Sequence, residues 1–583
     1  MDKAVVWQQR IQRVLDGRKA WENKARASIN LYRNTDQRDS IPLAHRTVKL
    51  LLAYLYYRDP EPIVIAEKDA IEVAGLEEFL KVDMRLVARA MERILSKART
   101  QLSLRAVNRR IVLDMLLTDV GISKVSVVMR AGQPVVDVMR VSPFDFVYDE
   151  ASLGILEDAR WCAQRIFMPL VLVKQNKNYR NTEGLVGEWR LKRQEDTGEN
   201  RYEKNDAEDD FERYVQLWEI YHREKDGVYI TVLADESQPV ILRHELYASP
   251  INDFPFVLGS LNPVTDSPYG IPLLWVLRGL HINLNKAMRQ VLEKAGRQIS
   301  AVALSEGLAN KDDISNALEE DNGIGLLLRI KGTDVRNAVQ PIDIGGIKPT
   351  DTALLQVILE MFHRVSGITQ AHLSGVVMGR KTATEAEMIQ QAATVTLSDL
   401  ADDVEEFITR QFRLLAHQLW AAKEWEESSI NFEWLPDDEY KAFRLAPPDA
   451  INMLKISIER GSAAILWHRQ KAQEMQLILQ VLSNPIVQQK MLQEGFRVNL
   501  APVIERWLSY MGIRDITVVL QRGKGDEQGM DSSAENTVAQ GALQELVGNL
   551  PMGWQEMGQG LGEGAGVEGA PILPEGGGGE GVL

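Results

Sequence analysis

Cysteine is almost absent from this chain, which has Cys162 and no other cysteine among its 583 residues. A single cysteine cannot form an intrachain disulfide or a cysteine-based zinc site, and it is typical of a reducing compartment. The sequence also lacks any apolar run of about eighteen residues, so no transmembrane helix is predicted. The charged N-terminus has no apolar signal-peptide region. We expect a protein that is made in the cytoplasm and has no membrane partner.

Motifs for catalysis are scarce as well. The histidines are scattered without the spacing of a metal site, and no nucleophile-elbow motif occurs. The stretch that begins at Gly375 resembles a phosphate-binding P-loop. It departs from that pattern because its glycines are four positions apart and Arg380 precedes Lys381. The acidic run 399–406 is interpreted as a solvated helix face. The sequence therefore predicts no enzyme, no cofactor and no metal site.

Basic residues are outnumbered, with 67 Lys and Arg against 82 Asp and Glu and a formal net charge of −15. This balance argues against a protein that wraps nucleic acid. After Lys524 there is no Lys or Arg at all, and the remaining residues are rich in Gly and Glu. Such a composition cannot bury enough apolar surface to fold, so we predict a disordered acidic tail over residues 523–583.

The segment 382–425 contains neither proline nor glycine, and it is the clearest helix of the sequence. Its apolar residues recur at steps of three and four, which places them on one face of an α-helix. They are Ala386, Ile389, Ala393, Leu397, Leu400, Val404, Ile408, Phe412, Leu415 and Leu419. Thr382 and Glu385 form a capping-box signal at its start. A helix over 350–366, ended by Gly367, precedes it, with a glycine-rich break between the two.

The remaining patterns predict an α+β fold that is mainly α. Helices are expected over 1–33, 43–57, most of 69–119, a segment that opens at Pro272, and 461–512. Strands are expected at 63–65, 123–129, 134–141, 214–221, 228–233, 239–242, 299–304, 324–330, 338–344, 430–435, 453–458 and 515–520. The polar segment 174–213 is predicted to be a loop or a weak helix.

The order of these elements is more specific than any motif. A helical region with LLAYLYYRDPEPIVI precedes a β module with VSPFDFVYDE. DSPYGIPLLWVLRGLHINLNKAMRQ follows, then a short α/β excursion, and then GRKTATEAEMIQQ at the start of the long helix. Over roughly residues 20–510 the chain resembles the portal protein, or head-to-tail connector, of tailed double-stranded DNA bacteriophages.

The resemblance implies a division of the chain into the parts of the portal fold. Residues 1–267 would be the wing, 268–298 the first stem helix, 299–349 the clip, 350–366 the second stem helix, 367–381 the tunnel loop, 382–460 the long wing helix with returning strands, and 461–522 the crown. The acidic tail is not a general feature of that family.

The resemblance also implies a function and partners. Twelve copies would form a ring at one capsid vertex of the virion, through which double-stranded DNA passes non-specifically during packaging and ejection. The ring would dock the terminase large subunit and then a head-tail adaptor, and it would contact major capsid and scaffolding proteins. The tunnel-loop residues facing DNA would be Gln370, His372, Ser374, Gly375, Met378, Gly379, Arg380 and Lys381. A DNA-packaging enzyme, motor or nuclease, and a non-viral helical scaffold remain alternatives.

Overall fold

A computed structural model describes residues 2–33, 41–74, 79–130, 133–152, 154–193, 200–204, 212–247, 253–265, 267–296, 299–304, 339–344, 347–368, 383–424 and 432–459, with a few positions between 475 and 507. The chain divides into two units, Met1–Trp467 and His468–Leu583. In the second unit the described residues are helical, in agreement with the prediction for 461–512, and Leu479 and Trp507 are buried. The first unit contains the elements below.

Apolar residues at helical spacing determine which face each helix buries. The described helices are α1 (Lys3–Gly17), α2 (Lys19–Arg33), α3 (Leu43–Leu55), α4 (Met84–Gln101), α5 (Leu104–Thr118), α6 (Leu170–Gln175), α7 (Leu273–Gly296), α8 (Pro349–Ser366), α9 (Ala383–Ala421) and α10 (Asp437–Leu445). Asp2 and Asp83 cap α1 and α4, since each carboxylate accepts a hydrogen bond from a backbone N–H of the first turn.

The strands are β1 (Pro62–Ala66), β2 (Ala70–Ala74), β3 (Phe79–Asp83), β4 (Gly121–Arg130), β5 (Gln133–Val141), β6 (Phe146–Tyr148), β7 (Trp161–Pro169), β8 (Trp189–Arg193), β9 (Asn200–Lys204), β10 (Arg213–Glu224), β11 (Gly227–Ala234), β12 (Val240–Leu246), β13 (Phe256–Gly259), β14 (Ile299–Leu304), β15 (Val339–Ile344) and β16 (Leu454–Ile458). All of their pairings are antiparallel.

The largest sheet has the order β12-β11-β10-β7-β6, and β8 and β9 extend it beside β10. A second sheet has the order β13-β4-β5, and β1-β16, β2-β3 and β14-β15 form two-stranded pairs. In the large sheet Trp218 of β10 lies opposite Arg165 of β7 and Leu233 of β11. Trp218 is fully buried, beneath the apolar face of α1. The first helix therefore covers one face of this sheet.

The long helix α9 passes through the largest core. Its buried apolar side chains are Leu397, Ala401, Val404, Phe407, Ile408, Phe412, Leu414, Leu415, Ala416, Leu419 and Trp420. These residues pack with those of α3, α4, α5 and α7. Six of them lie on the predicted face, so the predicted helix and its orientation are confirmed where side chains are described. Its start at Thr382 lies outside the described residues.

Several other predictions are confirmed. The hairpin β4–β5, the strands β10, β11 and β12, the pair β14–β15, and the strand β16 all form where expected. The N-terminal region is helical, as predicted, but it consists of two helices that meet at Arg18. The predicted strands 324–330 and 515–520 lie outside the described residues.

The structure departs from the predictions in four places. Most of 69–119 is helical as predicted, but residues 70–74 and 79–83 within it pair as β2 and β3. Residues 189–193 and 200–204 are strands within the segment predicted to be a loop or weak helix. Phe432–Leu435 is a turn followed by α10, although a strand was expected. The strand β7 was not predicted at all. In each hairpin or sheet, pairing with a neighbouring strand decided the conformation against weak local preference.

Candidate functional site: the helix pair α7–α8 and its connections

The helices α7 and α8 pack side by side in opposite directions. Lys294 Nζ in the last turn of α7 lies 2.7 Å from Asp351 Oδ1 in the first turn of α8. This hydrogen bond holds the pKa of Asp351 below its usual range. At the other end of the pair Leu277 and Phe362 are buried in the core that surrounds α9. Strand β14 follows α7 in the chain and strand β15 precedes α8, and the two strands pair antiparallel.

A buried carboxylate fixes the chain where it enters α7. Asp119 follows α5 in the left-handed conformation, with φ of 69°, and it is fully buried. Its Oδ1 accepts hydrogen bonds from the backbone N–H groups of Leu261 and Asn262, at 3.1 and 2.6 Å, and its Oδ2 accepts one from the Ser260 hydroxyl at 2.6 Å. Burial raises the pKa of Asp119 to about 6. The carboxylate thus joins the end of α5 to the segment that leads into α7.

Gly270 lies against this carboxylate. A Cβ added at Gly270 would be 1.7 Å from Asp119 Oδ2 and 2.3 Å from the Asn262 carbonyl oxygen. The preceding Tyr269 stacks on Trp21, with 4.7 Å between ring centroids, and so ties the same segment to α2. The Tyr269-Gly270 dipeptide, part of the DSPYGIPLLW stretch that contributes to the portal resemblance, is therefore the point where α7 attaches to the helical region.

The C-terminal end of α8 is also fixed. Gly367 adopts the left-handed conformation with φ of 68°, which a helix C-cap often requires of glycine. Ile368 is 1 % exposed and packs into the main core, and its N–H bonds the Ser366 hydroxyl. The predicted DNA-facing residues follow directly. All eight of them, from Gln370 to Lys381, lie outside the described residues.

The outer side of α8 carries a row of exposed apolar side chains. Leu354, Val357, Met361 and Val365 are 52 %, 48 %, 51 % and 50 % exposed. Their steps of three and four place them on one face, which we call the α8 stripe. Water-exposed apolar rows on a monomer mark interaction surfaces, because burying each side chain is favourable by about 1.5–3 kcal/mol. The α8 stripe was not predicted from the sequence, although its spacing was a usable signal.

A buried polar network fixes the long helix against the sheet. Gln411 of α9 exchanges two side-chain hydrogen bonds of 2.9 Å with Asn108 of α5, and its Nε2 donates to Ser123 Oγ of β4 at 2.7 Å. All three residues are buried. Since a buried amide without partners is costly, this network sets the rotation and register of α9. The apolar periodicity alone did not single out Gln411.

The acidic face of α9 has a measurable electrostatic consequence. Burial, together with the charges of Asp399, Glu406 and Asp402, raises the pKa of Asp403 to about 6. The charge of Asp403 also contributes to the raised pKa of Asp119.

Among the residues that the structure describes, no group of three or more potential ligands could hold a metal ion. Burial raises the pKa of the Cys162 thiol well above its ordinary value, which disfavours the reactive thiolate.

Comparison with known proteins identifies a family. The sequence model described as phage SU10 portal protein matches residues 50–545, which is most of the chain. No curated protein matches it. Phage portal proteins are generally structural components of the capsid that act as oligomers, and not enzymes. No helix of the described residues is long and apolar enough to cross a membrane. The chain therefore belongs to the phage SU10 portal protein family.

Proposed function

We propose that this chain forms a ring at one vertex of the capsid and conducts double-stranded DNA during genome packaging and ejection. Membership of the portal family supports the general assignment. The ring would dock the terminase large subunit during packaging and a head-tail adaptor afterwards. It would contact major capsid and scaffolding proteins, and twelve copies are expected from the resemblance alone.

The α8 stripe is the observation that carries the proposal. Half-exposed Leu354, Val357, Met361 and Val365 need a covering surface, and α8 is already packed on α7 by its opposite face. In a cyclic ring each subunit meets its neighbour through two different surfaces, so the α8 stripe of one subunit would be covered by a different surface of the next. This geometry supports the proposal that 268–298 and 350–366 are the two stem helices.

The remaining segments take the roles that their positions suggest. Residues 1–267 would form the wing, 299–349 the clip, 367–381 the tunnel loop, 382–460 the long wing helix and returning strands, 461–522 the crown, and 523–583 the acidic tail. The buried Ile368 supports the placement of the tunnel loop, because it anchors one end of that segment at the helix pair. Gln370, His372, Ser374, Gly375, Met378, Gly379, Arg380 and Lys381 would then face the DNA.

The charge of the chain suits a conduit. Every phosphate contact by Lys or Arg adds affinity, which would hold the duplex in place instead of letting it slide. A net charge of −15 per subunit, with only Arg380 and Lys381 as cations in the tunnel-loop segment, would give weak contacts without base specificity. The departures of this segment from a P-loop disfavour the alternative of a packaging motor.

Substitutions on α8 test the ring proposal. Val357→Glu with Met361→Glu places two charges in the α8 stripe and should prevent assembly, because burying an unpaired carboxylate costs several kcal/mol. Ala353→Glu with Gln356→Glu adds the same charge to the neighbouring exposed row and serves as the control. Particle mass in solution should fall to that of a monomer for the first variant only. Assembly of both variants into the same particle would refute the assignment of the stripe.

A further inference from the structure

The helices α3 and α5 carry a concentration of positive charge that the overall composition conceals. Together they contain five Lys and Arg and one Asp, whereas the whole chain has a net charge of −15. The five cations are Arg46, Lys49, Arg105, Arg109 and Arg110, and all are exposed. The single acid, Asp114, is 9 % exposed and is bound by the Arg140 guanidinium at 2.8 Å. It therefore does not neutralise the outer faces of these helices.

The two helices are neighbours in the fold. They pack against each other, and Arg105 Nη2 at the start of α5 donates to the Tyr57 carbonyl oxygen, just beyond the end of α3, at 3.2 Å. One guanidinium nitrogen of Arg105 thus ties the start of α5 to the end of α3. The other N–H groups of this guanidinium can donate to a ligand. Arg109 follows Arg105 by about one helical turn, so both lie on the same side of α5. We call the five cations the basic wing patch.

The helix α4 shows that other cations in this region have internal roles. Arg85 of α4 pairs with Asp69 at 2.7 Å, and Arg93 pairs with Glu439 of α10 at 3.0 Å. In the part of the chain that the structure describes, no acidic side chain forms an ion pair with Arg46, Lys49, Arg105, Arg109 or Arg110. Asp59 offsets part of the Arg105 charge, because attraction to Arg105 opposes the burial that raises the pKa of Asp59. The like charges of the other four lower stability unless an anionic partner neutralises them.

The chemistry of the patch favours a phosphate backbone over an acidic protein. Specific protein interfaces contain a buried apolar core. Both α3 and α5 are described throughout, and none of their large apolar side chains is exposed. Arginines presented by helices are suited to phosphate oxygens, since each guanidinium can donate two parallel hydrogen bonds. We propose that the basic wing patch binds the backbone of double-stranded DNA at a site separate from the tunnel-loop segment.

Closed circular duplex DNA tests this site, because a circle cannot thread through a preassembled ring. We expect the purified full chain to bind such DNA at low salt, with an affinity that falls steeply as salt is added. Arg109→Gln with Arg110→Gln should weaken binding by roughly tenfold or more. It should also make the slope of log affinity against log salt less steep by about 2, since two phosphate contacts are lost.

Lys174→Gln with Lys177→Gln removes the same charge from exposed positions of the β module and should leave both affinity and slope unchanged. Thermal melting of each variant checks that it is folded. The proposal would be overturned if the chain did not bind circular DNA at low salt. It would also be overturned if the arginine and the lysine double variants lost the same amount of DNA affinity. Binding that an acidic polypeptide, poly-glutamate, shares at similar affinity would overturn it too. The outcome is independent of ring formation, because DNA binding can be measured on rings and on unassembled subunits alike.

Discussion

At the scale of single residues, Gly270 and Asp119 determine how α7 is attached to the rest of the fold. Gly270 is needed because a Cβ would overlap the Asp119 carboxylate, which is itself held by two backbone N–H groups and a hydroxyl. The stretch that contains Gly270 contributes to the portal resemblance, but the sequence did not indicate Asp119 as the partner of Gly270. No local pattern identifies Asp119, because the contact joins segments that are far apart in the chain.

Gly270→Ala should destabilise the protein by at least about 2 kcal/mol, since the added methyl group forces the backbone or the carboxylate to move. Gly279→Ala is the matched control in α7, because a Cβ there would meet nothing within 4 Å. This second variant should be slightly more stable than the parent, by about 0.5–1 kcal/mol, because alanine favours the helix. Thermal melting measures both. If Gly270→Ala has the same melting temperature as the parent, the close approach of Gly270 to Asp119 does not exclude a side chain at position 270.

At the scale of elements, the spacing of apolar residues predicted the helices reliably. The pairing of strands from distant segments could not be predicted from the sequence. The helix α9 could be predicted because its apolar residues recur every three or four positions, and from Leu397 onward its burial repeats at the same spacing. The strand β7 could not, because its conformation depends on β6 and β10 on either side. Residues 70–83 contain good helix formers, yet they pair as a hairpin. A signal for α10 was present in Pro436 and the acids that follow it, a typical helix start.

The acidic face of α9 makes stability depend on pH. Asp403 has a folded pKa of about 6 against an ordinary value of 3.8, so the native chain holds this proton more tightly than the unfolded chain. The free energy of unfolding therefore falls as the pH rises from about 4 to about 6. Asp403→Asn removes this cost. At 1.36 kcal/mol per pKa unit, the substitution can raise the free energy of unfolding by at most about 3 kcal/mol at neutral pH. Because Asp403 is partly exposed, we expect about 1–2 kcal/mol.

Melting temperatures at about pH 4.5 and about pH 7.5 check this expectation. The melting temperature of Asp403→Asn should exceed that of the parent at the higher pH, and the difference between the two should shrink at the lower pH. Asp226→Asn, in the exposed turn between β10 and β11, is the control and should show no such trend. An increase in melting temperature for Asp403→Asn that is the same at both pH values would contradict the electrostatic explanation.

At the scale of the whole molecule, the chain combines exposed surfaces that a lone subunit does not use. The α8 stripe faces water although it is apolar, and the basic wing patch lies on a protein that is acidic overall. Family membership and the α+β architecture agree with the fold class expected from the sequence. The stripe was missed because α8 is apolar on several sides, so its sequence does not show which side faces the core.

Images of the purified full chain by negative-stain electron microscopy test the central claim most directly. We expect closed rings with a central hole, wide enough for duplex DNA, and their loss when Val357 and Met361 are both replaced by Glu. Preparations that contain only monomers or rods across a range of salt and protein concentrations would contradict the proposal that this chain forms a DNA-conducting ring.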